Sequence, residues 1–137
     1  MGFRYRKSID GDAVQPVKDY PLDPAYASAA KPEDVVRLNA SGQLVKAGTG
    51  DTEVLGVLEG VNFEGMCKPP KVGKVRISPN ALYEADYVGT GPLTAGAEYG
   101  IDDNGNLDTD NTTTKIAKIV EVVNGKPHVV ITARQMV

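Results

Sequence analysis

His128 is the only imidazole in this chain and Cys67 the only thiol. Together they bound the nucleophilic and acid–base chemistry open to it. A catalytic histidine needs a nucleophile and an orienting acid beside it. The run Lys126-Pro127-His128-Val129 offers neither, and the sequence has no G-x-S-x-G turn. Strand alternation points His128 away from Val129 and Ile131, as an ordinary surface-strand imidazole. Cys67 lies between Met66 and Lys68, just before Pro69-Pro70. Lys68 and Lys71 would lower its pKa, but no helix N-terminus is expected there, so it reads as a loop or half-buried thiol. One Cys and one His exclude an internal disulfide, a Cys-rich zinc site and any multi-His metal site.

The acidic run Asp102-Asp103-Asn104-Gly105-Asn106-Leu107-Asp108-Thr109-Asp110 invites a calcium reading. It lacks EF-hand spacing and a closing Glu, and a hairpin turn accounts for the same residues. Gly48-Thr49-Gly50-Asp51 and Gly89-Thr90-Gly91-Pro92 lack the Gly-Lys-Ser/Thr end and following helix of a phosphate loop. Nothing singles out a carboxylate pair, such as Glu84 with Asp86, for hydrolysis. No catalytic, cofactor-binding or metal-ligating residue is therefore expected, and the chain is not expected to be an enzyme. Arg4, Arg6 and Lys7, interleaved with Phe3 and Tyr5, form the one basic–aromatic cluster. A net charge of −3 gives no electrostatic case for nucleic acid. A partner-docking terminus is the expectation.

The elements around these residues read as strands. The chain of 137 residues suits one domain, or one domain plus an arm. No run approaches the apolar length of a membrane span, and the N-terminus does not read as a secretory signal. Asp34–Leu38 and Gln43–Lys46 flank Ser41-Gly42 as a hairpin. Thr52–Val61 and Lys74–Ser78 are apolar or alternating runs. Ala81–Val88 is a further strand, with Leu82 and Tyr87 as candidates for burial. Glu98–Ile101 leads to a turn at Asn104-Gly105. Lys115–Val123 and Pro127–Ala133 flank Asn124-Gly125, the pair that a type I′ turn asks for. Eight or nine short strands and no substantial helix are expected: an all-β fold, a small β-barrel or sandwich of short antiparallel strands.

Residues 1–33 are expected to differ from the body at 34–137. Pro16, Pro21, Pro24 and Pro32 interrupt any long helix, with at most a helical turn near Ala25–Ala30. The segment reads as an extended N-terminal arm, with Phe3, Arg4, Tyr5, Arg6, Tyr20 and Tyr26 as candidate partner-binding residues. Its removal is expected to leave the body folded and abolish binding. A faint repeat relates Leu38–Leu44 to Ile101–Leu107 and Val57–Val61 to Ile119–Val123. It reads either as two related hairpin-plus-strand units or as the ordinary likeness of β-hairpins.

The run Asp34-Val35-Val36-Arg37-Leu38, then Gly42-Gln43-Leu44-Val45-Lys46 and Val54-Leu55-Gly56-Val57-Leu58-Glu59-Gly60, resembles the opening of small head-decoration, or cement, proteins of tailed bacteriophages. Ala97–Asp102, Gly105, Asp108 and Lys115–Val120 resemble their C-terminal half. The resemblance covers about residues 34 to 134 and rests on hydrophobic positions and glycines. It implies a virion structural protein, made in the host cytoplasm, on the outer surface of a capsid. Its partners would be the major capsid protein and neighbouring copies of itself, with no nucleic acid, membrane or cofactor. The alternative is another β-rich binding module, of a phage tail or baseplate or for carbohydrate. The 6% aromatic content and absence of Trp argue against carbohydrate.

Overall fold

Alternating Val, Ile and Tyr runs build two antiparallel-rich sheets in a computed structural model that describes residues 2–8, 17–62, 68–78 and 80–135. The strands are β1 (Phe3–Ser8), β2 (Val17–Pro21), β3 (Val35–Leu38), β4 (Leu44–Lys46), β5 (Gly56–Asn62), β6 (Val72–Arg76), β7 (Ala81–Ala85), β8 (Tyr87–Val88), β9 (Glu98–Ile101), β10 (Leu107–Asp108), β11 (Ala117–Val123) and β12 (Lys126–Ile131). One helical turn, α1 (Pro24–Ala27), is capped by Asp23, whose Oδ1 accepts the Ala25 N–H at 2.8 Å. One sheet runs β1-β7-β12-β11-β9-β10-β8 and the other β2-β6-β5-β3-β4. Neither closes on itself, so the body is a small sandwich rather than a barrel.

The larger core lies between the sheets. Phe3, Tyr83, Tyr99, Ile119 and Val129 of the seven-stranded sheet meet Val35 and Val57 of the five-stranded one. Alternation sends Val36, Leu44, Leu58 and Val75 to the far face of the five-stranded sheet. There Leu22, Tyr26 and Ala27 cover them as a second core.

The segment expected as an arm is thus built into both sheets. β1 pairs with β7 and puts Phe3, with no exposed surface, in the main core. β2 pairs with β6, and the segment from Leu22 through α1 roofs the second core. The prolines do not prevent this. Pro21 ends an edge strand, where a missing N–H is tolerated, and Pro24 opens a helical turn. The body is therefore not separable at residue 33, and removing residues 1 to about 30 would strip two strands and a core cover.

The faint repeat is present in the backbone and extends beyond the hairpins. Leu38–Leu44 matches Ile101–Leu107 as expected, but the second match is displaced by one residue, so that Leu58 rather than Val57 answers Ile119. The β3–β4 and β9–β10 loops are bonded alike. Asn39 Oδ1 accepts the N–H of Ser41 (2.9 Å) and Gln43 (3.0 Å), and Asp102 Oδ1 accepts that of Asn104 (2.9 Å) and Asn106 (2.9 Å). Gly42 and Gly105 take the positive φ, 76° and 84°, that each loop needs. The connection at Asn104-Gly105 is thus a wider loop than the two-residue turn expected. Ladder registers also match. Val36 with Gly56 and Val35 with Val57 answer Tyr99 with Ala117 and Glu98 with Lys118. Both long hairpins shift register at the same step, between Leu58 and Gly60 and between Ile119 and Glu121. Lys18 with Val75 and Asp19 with Lys74 answer Tyr83 with Val129 and Glu84 with His128. The parallel bridge of Leu22 to Leu44 answers that of Tyr87 to Leu107. The order β2-β6-β5-β3-β4 therefore repeats as β7-β12-β11-β9-β10. β8 answers the single Leu22 bridge, and among the described residues β1 is the strand that the second copy adds.

Candidate interaction surface

Where the added strand β1 meets β7, the sheet carries a row of polar side chains on its outer face. Arg4, Glu84, His128 and Glu121 stand in successive register across β1, β7, β12 and β11. Arg4 clamps Asp86 with both guanidinium ends, Nη1 to Oδ2 at 2.9 Å and Nη2 to Oδ1 at 3.0 Å, and reaches Glu33 at 3.2 Å and Glu84 at 3.4 Å. Lys126 adds a 3.6 Å contact to Asp86, and the Gly2 N–H a hydrogen bond of 3.2 Å. The hydrogen bonds from Arg4 hold the Asp86 carboxyl down at about 2, against the opposing effect of burial. The same pairing raises the Arg4 guanidinium above its ordinary value. Glu84 and Asp86 are therefore tied to one arginine, and Asp86 is a poor proton donor at neutral pH.

His128 is buried rather than on the surface, although it does point away from the core residues Val129 and Ile131. Its Nδ1 lies 3.4 Å from Glu121 Oε1. Among the described residues no three His, Cys, Asp or Glu side chains converge as a metal-binding group. The acidic loop spends its carboxylates on backbone. Besides the Asp102 bonds, Asp103 accepts the Thr49 N–H at 2.9 Å, which lowers its pKa, and Asp110 accepts that of Thr90 at 3.1 Å. Cys67 lies outside the described residues. No helix there is long and apolar enough to cross a membrane.

The six residues expected to bind a partner separate into distinct roles. Phe3 is core, and its N–H donates to the Glu33 carbonyl at 3.1 Å. Tyr26 is also buried and donates its hydroxyl to Asp34 Oδ2 at 2.5 Å. Burial first, and then Asp34, push the Tyr26 phenol well above the usual range. Tyr5 is half-buried, edge-on to Tyr83, with the Arg76 guanidinium 3.8 Å from its ring centroid. Tyr20 packs on the second core. Arg4 is held in its carboxylate cluster. Arg6 alone is largely exposed, at 56%, with Glu84 3.8 Å away.

The exposed apolar surface lies elsewhere. Val120, Val122 and Val123 are 39%, 39% and 41% exposed at the end of β11. β9 pairs with β11 only at Ala117 and Lys118, and β7 pairs with β12 only at His128 and Val129. Ile119 also bonds Gly96 and Ala97, so the two-stranded ribbon that reaches past the sheet runs from Val122 to Pro127 through Asn124-Gly125, whose φ angles are 52° and 77°. Among the described residues, Val17 on β2 and Tyr87 and Val88 on β8 are the other large exposed apolar residues. Tyr87, expected to be buried, is 43% exposed because the chain leaves β7 at Asp86 to pair with β10 at the sheet edge. The sequence did carry a signal for the ribbon. Val-Glu-Val-Val directly before Asn-Gly supplies more apolar residues than one buried face can take. Two grooves lie on the surface. One of about 250 Å³ lies between β1 and β5, lined by Phe3, Arg4, Tyr5, Glu33, Leu58 and Glu59. The other, of about 390 Å³, lies beside Leu22, Ala27, Lys68 and Pro70.

A scan against protein-family models finds no match for this chain, and a search of curated proteins finds no relative.

Proposed function

We propose that this chain is a virion structural protein that decorates the outside of a phage capsid and stabilises it by non-covalent bridging of neighbouring capsid subunits. The pattern of apolar positions and glycines over residues 34 to 134 supports the reading. The observation that carries it is the end of the β11–β12 hairpin, where half-exposed Val122 and Val123 stand past the last residues bonded to β7 and to the β9 side, next to half-exposed Val120 at the bulge. Such a patch costs solubility unless something covers it. Repetition over a lattice turns a modest contact of this size into high avidity. Charge clusters on the outer face are already paired internally, which suits a passive scaffold better than a reactive site.

The test is co-sedimentation with purified undecorated heads. The full chain should pellet with them saturably. A variant carrying Val120→Thr, Val122→Thr and Val123→Thr keeps β propensity while removing apolar surface, and should bind at least about tenfold more weakly. Failure of the intact chain to bind heads would sink the reading.

A further inference from the structure

The repeat within the fold exposes an asymmetry. In the seven-stranded sheet, β7 is flanked by β12 on one side and β1 on the other. Among the described residues its counterpart β2 is flanked by β6 alone. The Leu22 N–H bonds to the Lys71 carbonyl at 2.9 Å, so alternation in this ladder turns the backbone of Tyr20 and Lys18 toward β6. The N–H and C=O groups of Val17 and Asp19 face outward, with the Pro21 carbonyl. Among the described residues nothing pairs with them. The equivalent outward groups of β7 belong to Leu82, Glu84 and Asp86, and the Asp86 N–H there donates to the Gly2 carbonyl at 3.1 Å.

We propose that the outer edge of β2 is a strand-acceptor site that takes an extended cationic–aromatic segment of a partner protein, in the antiparallel register that β1 adopts on β7. The chemistry of the occupant follows from the equivalence. Arg4 stands opposite Glu84, and β2 keeps an acid, Asp19, at the matching position. Asp19 is 55% exposed, and its ion pair among the described residues, with Lys74 at 3.2 Å, is itself exposed and costs little to rearrange. Phe3 stands opposite Ala85, whose counterpart is Tyr20, half-buried at the rim of the second core. An aromatic residue there would extend that core as Phe3 extends the first. Backbone pairing supplies affinity, and the arginine opposite Asp19 supplies register.

A second copy of this chain is a poorer occupant. The two-fold registers that overlap β2 at its centre place Lys18 opposite Lys18 or Asp19 opposite Asp19, and each copy's own β1 is already fixed by buried Phe3. Lys18 and Pro21 guard the edge against self-pairing. The site does not rest on the capsid reading, since it concerns the edge and not the ribbon.

The probe is a synthetic peptide with the β1 sequence, Gly-Phe-Arg-Tyr-Arg-Lys-Ser, titrated into the isotopically labelled full chain and followed by amide chemical shifts. The Val17 and Asp19 signals should move saturably. Asp19→Lys, an exposed change that leaves the rest of the spectrum in place, should weaken binding about tenfold. The same peptide N-methylated at the first arginine should not bind, because it cannot pair with the outward backbone of Asp19. Absence of shifts at Val17 and Asp19 would overturn the proposal. So would shifts confined to β7 by displacement of β1, or equal binding of the N-methylated peptide. Concentration-dependent shifts at β2 without peptide would assign the edge to a second copy and equally overturn it.

Discussion

Replacing Phe3 with alanine separates a chain whose N-terminus is an accessory arm from one whose N-terminus is core. Phe3 has no exposed surface, its ring centroid lies 6.2 Å from that of Tyr83, and it packs in the cluster that includes Val35, Val57, Ala85 and Ile119. Removing a buried phenyl ring costs about 3–5 kcal/mol, from lost transfer energy and the cavity left behind. β1 is an edge strand, so partial collapse of the site should keep the loss toward the lower end. In urea, with a slope of about 2 kcal/mol per molar, a loss of about 3 kcal/mol moves the midpoint down by about 1.5 M. In a thermal scan it lowers Tm by about 10 °C. Far-UV circular dichroism suits both assays, since the chain has no Trp. Phe3→Leu, which keeps most of the volume, should recover more than half of the loss. An arm that merely lies on the surface would give a change within about 0.5 kcal/mol. A measured loss below about 1 kcal/mol for Phe3→Ala would refute the placement of β1 in the core.

Two further outcomes follow from the polar groups. Asp86 sits at about 2 against an ordinary 3.8, so the stability it contributes is present above about pH 4 and is lost as pH falls toward 2. Partial exposure screens this to about 1 kcal/mol. Denaturation midpoints across that window should fall less steeply in Asp86→Asn than in the parent chain, and parallel curves would count against the Arg4 clamp. Tyr26→Phe leaves the buried Asp34 carboxylate with the Lys31 N–H at 3.3 Å and Lys46 at 4.0 Å, and should cost about 2–3 kcal/mol by urea denaturation. Burial raises both the Tyr26 and the Tyr83 phenols. A spectrophotometric titration of the native chain should therefore fall at least two phenols short of the six that the unfolded chain gives. Reversible ionisation of all six in the folded state would contradict this.

What the sequence made legible follows local chemistry. Asn124-Gly125 demands its turn, and Val35–Leu38 with Leu44–Lys46 fall where alternation and Ser41-Gly42 put them. Where tertiary partners decide, it misleads. Phe3 and Tyr5 alternate with Arg4 and Arg6 as a strand should, but the prolines downstream suggested an arm. Only the bonds of β7 and the Glu33 carbonyl show that a strand forms. The repeat makes the limit clearest. Val35 and Val57 pair across one sheet as Glu98 and Lys118 pair across the other. The backbone is the same, yet the first pair is buried and the second exposed. The five-stranded sheet is covered on both faces, by its neighbour and by the α1 segment, whereas the seven-stranded sheet turns its outer face to solvent. One register under two opposite burial demands selects opposite residues at half its positions, and what remains in common is the loop chemistry of Asn39 with Gly42 and Asp102 with Gly105. A repeat of this kind should therefore show in the glycines and capping side chains of its turns, while its strands drift apart.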